Sequence, residues 1–149
     1  MQQAVSARTP AHLWIVGILS LLWNAFGGLD YLMSRTHNAQ WMKTMMPHSD
    51  PAPLFAYMDS MPLFASIGWG LGVWCSVAGA VLLVMRRRYA VPAFALSLIG
   101  AAISFAYQLF FAKDIPAEMR SPVMPLVILV LVGLQLWYAR RMEGKGVLR

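Results

Sequence analysis

Long apolar runs separated by short polar or mixed segments dominate the hydropathy pattern of this chain. The first run, residues 13–33, is 21 residues long. At 1.5 Å per residue that is enough to cross a hydrocarbon core of roughly 30 Å. The second, residues 63–85, has 23 residues and no charge. The third, residues 90–112, has another 23, with Pro92 in its first turn, where proline is tolerated. Only Arg86-Arg87-Arg88-Tyr89 separates these two, so they must form an antiparallel hairpin. The fourth, residues 123–139, is shorter, but Pro122 and Pro125 suit a helix start and Arg140 and Arg141 can snorkel at its end. The pattern predicts an all-α fold: one integral membrane domain over 1–149, with a bundle of four transmembrane helices at about 13–33, 63–85, 90–112 and 122–141. The first run is too long for the h-region of a signal peptide, about 7 to 15 residues, and no small-x-small site closes it, so it reads as an uncleaved helix.

The connections differ in kind. Residues 34–62 form a long first loop rich in methionine and proline, in which 38–46 and 54–61 are expected as short amphipathic helices at the outer interface. The second connection is minimal, and residues 113–121 form a short outer loop. No internal repeat relates the two hairpins.

Composition agrees with this pattern. Apolar residues make up 59% of the chain and charged residues 12%, against roughly 25% charged in soluble domains. The net charge of +6 raises the question of nucleic acid, but the basic residues sit at the ends of apolar runs rather than on a basic, aromatic-interleaved face. With the N-terminus inside, the cytoplasmic side holds Arg8, Arg86, Arg87, Arg88, Arg140, Arg141, Lys145 and Arg149 against one acid, Glu143. The outer side holds Arg35, Lys43, Lys113 and Arg120 against five acids. This asymmetry predicts both termini in the cytoplasm, and Trp14, Tyr89, Trp137 and Tyr138 fall where an inner aromatic belt belongs. The lone Cys75 excludes an intrachain disulfide or a cysteine zinc site.

Small residues recur at helical spacing. Gly68, Gly72, Ser76 and Gly79 or Ala80 mark a packing face on the second run, and Ala93, Ser97, Ala101 and Ser104 mark one on the third, continuing to Gln108. Such stripes serve packing within the bundle or against a second copy of the chain. On the first run Asn24, Gly27, Gly28 and Tyr31 share a face at 100° per residue, with Asp30 on its flank. Gly27 and Gly28 are expected to pack against a neighbouring helix or to leave room beside the polar groups. Asp30 and Gln108 lie at one level, roughly 5 to 6 Å inside the outer boundary, whereas Asn24 falls near the midplane and Gln135 in the inner third. A carboxylate in hydrocarbon should face protein, water or a basic partner.

Two readings of these residues follow. In one, Asp30, Tyr31, Tyr107 and Gln108 line a polar ligand pocket open to the outer face, with Asn24 as its floor. In the other, Asp30 pins the outer end of the bundle through Gln108, a backbone amide of the first loop, or Arg35. His37, Met42, Met45, Met46, His48, Asp50, Met58 and Met61 form a soft-ligand mixture, but their irregular spacing also suits interfacial packing, and no metal site is assigned. His12, His37 and His48 lie outside the apolar cores, which argues against a bis-histidine haem. No phosphate loop, zinc motif or embedded catalytic pair is present, so neither enzyme activity nor a cofactor is expected.

Trp23-Asn24 with Gly27 or Gly28 and Asp30-Tyr31, then Gly72-Val73-Trp74, Leu82-Leu83 and a basic turn, Ser97-Leu98 with Gly100, and a closing Tyr138-Ala139-Arg140-Arg141 resemble a family of small four-helix proteins from Gram-negative bacteria. Its members are often automatically labelled "sugar transporter". The resemblance implies a bacterial inner-membrane protein, and it carries over no binding or catalytic residue. A small-solute transporter or transporter subunit is one expectation, with the bilayer and a homo-oligomer or partner membrane protein around it. A non-catalytic accessory protein that binds another membrane protein is the other.

Overall fold

A computed structural model describes residues 9–149; Arg8, counted above on the cytoplasmic side, lies outside the described residues. Four helices are long and apolar enough to cross a membrane. They are α1 (Ala11–Arg35), α4 (Leu63–Val84), α5 (Ala90–Ala106, continued by a wider turn) and α6 (Val123–Gly144). Between α1 and α4 the first loop folds into two short helices, α2 (Ala39–Met45) and α3 (Pro51–Ser60). Their starts follow from local chemistry. Asn38 accepts from the Trp41 backbone N–H at 2.9 Å, and Asp50 accepts from that of Ala52 at 3.1 Å, with Pro51 at the first helical position. No strand occurs among the described residues.

α1 packs on α4, α4 on α5, and α5 on α6, while α1 and α6 scarcely touch. The α4–α5 pair is the tightest because its glycines bring two backbones together. A Cβ on Gly68 would lie 2.8 Å from the Gly100 carbonyl oxygen, and one on Gly100 would lie 2.7 Å from that of Gly68. Gly72 abuts Ala101, Gly79 abuts the Phe94 ring, and the Ser97 hydroxyl donates across the interface to the Gly72 carbonyl. The expected stripe through Gly68, Gly72, Ser76, Ser97 and Ala101 is therefore the α4–α5 seam, completed by Gly100. On α1, Gly28 packs beside Trp74 and Val77 of α4. Gly27 does not pack: a Cβ there would meet nothing within 4 Å, so its expected role as a packing glycine is corrected.

Outward-facing Leu19, Leu22, Ile67, Ile99, Phe110 and Val130 leave an apolar belt around the bundle, as a bilayer requires and water would not tolerate. One end of the bundle is sealed by Leu13, Leu83, Phe94, Met142, Val147 and Leu148. There the last residue pairs with the α4–α5 turn: the Arg149 N–H donates to the Arg86 carbonyl at 2.8 Å, and the Arg88 N–H to the Arg149 carbonyl at 3.0 Å. The Arg86 guanidinium also donates to the Thr9 hydroxyl, so Thr9 and Arg149 meet at the same end. The opposite end is covered by α2 and α3, whose buried Met42, Leu54, Tyr57 and Met58 turn onto Trp69, Ala112, Ile115 and Met119. They form a lid over the bundle.

The third span departs from a plain α-helix near this lid. α-Helical bonding stops at Ala106, and Tyr107–Phe111 form a π turn closed by the Ala112 N–H donating to the Tyr107 carbonyl at 2.8 Å. The widening accompanies two side-chain commitments: Gln108 reaches the Met119 carbonyl, and Tyr107 stands edge-on to Phe64.

Candidate ligand cavity

Because α1 and α6 diverge, the centre of the bundle is not filled. A chamber of about 180 Å³ lies among Asn24, Gly27 and Asp30 of α1, Trp69, Gly72 and Ser76 of α4, Ala101, Ser104 and Phe105 of α5, and Met124, Ile128 and Val132 of α6. A second chamber of about 290 Å³ lies between this end of the bundle and the lid. Its wall carries Met42, Met45, Met46, Met58, Met61, Met119 and Met124, together with Tyr57, Gln108 and Glu118. The two chambers share Asp30, Trp69, Ser104, Phe105, Met124 and Ile128, so they meet at Asp30. Methionine side chains are unbranched and polarizable, and walls made of them adapt to ligand shape.

Asp30 is half-buried, and its Oδ1 accepts a 2.8 Å hydrogen bond from the Trp41 indole Nε1 of α2. This corrects the expected partners. Gln108 is not bonded to Asp30; its amide donates to the Met119 carbonyl at 2.8 Å, because the π turn carries it towards the segment before α6. Arg35 does not pair with Asp30 either, and the histidine–carboxylate contact among the described residues is His37 Nε2 with Asp59 Oδ1 at 3.1 Å. The loop does supply the pin, through an indole rather than a backbone amide.

Asn24 is buried in the wall of the inner chamber, but its amide nitrogen is committed. It donates to the Ser20 carbonyl at 2.7 Å and to Gln135 Oε1 at 3.3 Å, the latter bridging α1 to α6. The predicted polar face of α1 thus splits. Asn24, Gly27 and Asp30 turn to the cavity, while Gly28 and Tyr31 turn to α4. Tyr31 stacks edge-on to Trp69 at 4.6 Å between centroids and to Trp74 at 6.0 Å, outside the lining of both chambers. Tyr107 likewise stands against Phe64 at 5.8 Å and lines neither chamber. Of the five residues singled out, the fold brings Asn24, Asp30 and Gln108 to the cavity and leaves the two tyrosines beside it.

Trp41, Trp69 and Tyr57 were not singled out by sequence reasoning. Their signal was faint: Leu54, Tyr57, Met58 and Met61 repeat at helical spacing in the first loop, which marks an inward face and nothing more. Tyr57 is 5% exposed, and its hydroxyl is the one buried side-chain polar atom without a hydrogen-bond partner among the described residues. Burial, with a smaller contribution from neighbouring Tyr107, pushes its phenol up to about 12 from 10.0.

Electrostatically the cavity is one-sided. Asp30 and Glu118 line it, and no lysine, arginine or histidine does. No cluster of three or more histidine, cysteine, aspartate or glutamate side chains is placed to hold a metal among the described residues. Fold and cavity together define a multi-pass helical membrane protein with a chambered interior closed at one end by a loop-derived lid. Comparison of the chain with known families, curated proteins and solved structures found no match.

Proposed function

We propose that this is a non-enzymatic bacterial inner-membrane protein, with both termini cytoplasmic, that binds a small ligand in the bundle cavity as a transporter or transporter subunit. The observation that carries this reading is the pair of chambers meeting at Asp30, one at mid-bundle and one under the lid. They supply ligand-sized space at mid-bundle and under the lid, with a carboxylate in the wall that the two chambers share. The charge asymmetry of the loops supports the lid as the outer end. Four helices are few to enclose an aqueous path, so transport calls for a homo-oligomer or a partner. The test is uptake of a panel of sugars, amines and inorganic cations into proteoliposomes. Saturable uptake of one class that Asp30→Asn removes is the expected result; uptake equal to protein-free liposomes across the panel defeats the transport reading. Cysteines introduced at His48 and Lys145, labelled by an impermeant maleimide from opposite sides of the membrane, test the orientation.

A second reading has its own observation. A groove of about 390 Å³ runs along the open α1–α6 seam, lined by Leu19, Trp23, Leu131, Leu134 and Trp137. An accessory protein would seat a helix of another membrane protein there. Cysteine crosslinking from Leu19 and Leu134 in native membranes tests it, with an adduct of discrete mass as the expected product.

A further inference from the structure

We propose that the ligand of this cavity is a small cationic amphiphile, an alkyl- or arylamine whose ammonium group meets Asp30 and whose apolar body fills the inner chamber. The proposal rests on the reading that the cavity is a ligand site and adds the chemical class of the occupant.

Charge gives the sign of the head group. The walls carry two carboxylates and no basic side chain, so an anion would meet only repulsion there. Trp23, Trp69 and Phe105 line the same chamber as Asp30, and aromatic rings attract an organic cation and accept its apolar part equally well.

The inventory of free hydrogen-bonding groups sets how polar the ligand is. Asn24 and Gln108 have committed their amide nitrogens, and the Ser76 hydroxyl donates to the Val73 carbonyl. Among the groups left free are acceptors: the Asp30 oxygen not bonded to Trp41, the Gln108 amide oxygen and the Glu118 carboxylate, with the unpartnered Tyr57 hydroxyl in the wall of the outer chamber. Carboxylate, amide and hydroxyl oxygens suit the N–H bonds of an ammonium group.

Access fits the same class. Trp23, Phe26 and Met124 line the inner chamber and are also exposed on the outside of the bundle, so the chamber opens along the α1–α6 seam towards the hydrocarbon. A ligand that partitions into the bilayer reaches the site by that route; a strongly hydrated one does not.

The experiment is equilibrium dialysis of radiolabelled phenylpropylamine, phenylpropanol and phenylpropionate against the full chain in phosphatidylcholine nanodiscs, with empty nanodiscs as blank. The amine is expected to bind saturably, and the alcohol and the acid about tenfold or more weaker. Asp30→Asn keeps an oxygen to accept from Trp41 and so preserves the lid; it is expected to bring the amine down to the level of the alcohol. Asp30→Glu restores part of the difference, and Trp41→Phe, which removes the lid contact but not the charge, retains it. Equal binding of amine and alcohol, or an amine affinity indifferent to Asp30→Asn, overturns the proposal. Gly27→Leu, which fills the open space beside Gly27, reports on the underlying reading. Loss of all saturable binding in that variant without dependence on charge leaves the cavity a ligand site and refutes the class. No saturable binding of any probe by the unmodified chain refutes both.

Discussion

The Trp41 indole donates a 2.8 Å hydrogen bond to Asp30 Oδ1, and the same ring leans on Phe26 with 6.0 Å between centroids. Eleven residues apart in sequence, Asp30 and Trp41 join the outer end of α1 to the first helix of the lid. Trp41→Phe keeps the ring and deletes the donor. The expected result is a loosened lid, with about 1 kcal/mol lost from its local closing equilibrium. Hydrogen exchange of the amides of α2 and α3 measures it; exchange should speed up there and stay unchanged in α4 and α5.

Two glycines on different faces should respond in opposite ways to the same added methyl group. Gly100→Ala puts a Cβ into the Gly68 carbonyl at 2.7 Å, backbone against backbone, where no rotamer change relieves it. A loss of about 1–3 kcal/mol is expected, typical of overpacking. Gly27→Ala meets nothing within 4 Å and lies inside a helix, so it should be neutral or stabilising by about 0.4–1 kcal/mol. Thermal unfolding of both variants in one detergent ranks them against the unmodified chain.

The Asn24–Gln135 hydrogen bond at 3.3 Å bridges α1 and α6, two helices with few backbone contacts that are also joined near one end by His12 Nδ1 and the Tyr138 hydroxyl at 2.6 Å. A double-mutant cycle with Asn24→Leu and Gln135→Leu is expected to give a coupling of about 0.6 kcal/mol, and at most about 1.7, since polar pairs in membranes are modest. The single variants should also widen the α1–α6 seam. Spin labels on Leu19 and Leu134 would read an increased mean distance; an unchanged distance means that the bond does not hold the seam.

How much of this was legible in the chain depends on which force set each feature. The four spans were, because apolar runs of 17 to 23 residues, three of them without a charge, have few alternatives in a bilayer. The α4–α5 seam was also legible, since close backbone approach demands small side chains at fixed spacing, as at Gly68, Gly72 and Ser97. The cavity was legible only in outline. Helix periodicity placed Asn24, Gly27, Gly28, Asp30 and Tyr31 on one arc, but the way that arc divides between α4 and open space depends on the divergence of α1 and α6, a tertiary fact. Gln108 was assigned to Asp30 on depth, and the π turn redirected it to Met119. Trp41 and Tyr57 came from a loop whose helices fold back over the bundle, and no local pattern encodes that direction.

The buried Tyr57 hydroxyl has a pH signature of its own. Its phenol is raised to about 12 in the folded protein from 10.0, chiefly by burial, so the folded state holds this proton more tightly than the unfolded one. The stabilisation linked to the neutral phenol is therefore fully present below pH 10 and is lost as pH rises through about 12. Tyr57→Phe removes both the proton and an unpaired buried hydroxyl, so two results are expected together. At neutral pH the ligand-free variant should be more stable, by about 1 kcal/mol, since an unsatisfied polar group has been replaced by an apolar one of similar shape. Above pH 10 its unfolding midpoint should fall less steeply than that of the unmodified chain, because the phenol that must ionise is gone. Denaturation midpoints of the two proteins across the alkaline range measure both, with phenolate absorbance following the titration directly. Parallel alkaline profiles would show that Tyr57 ionises at its ordinary value and that its hydroxyl is solvated.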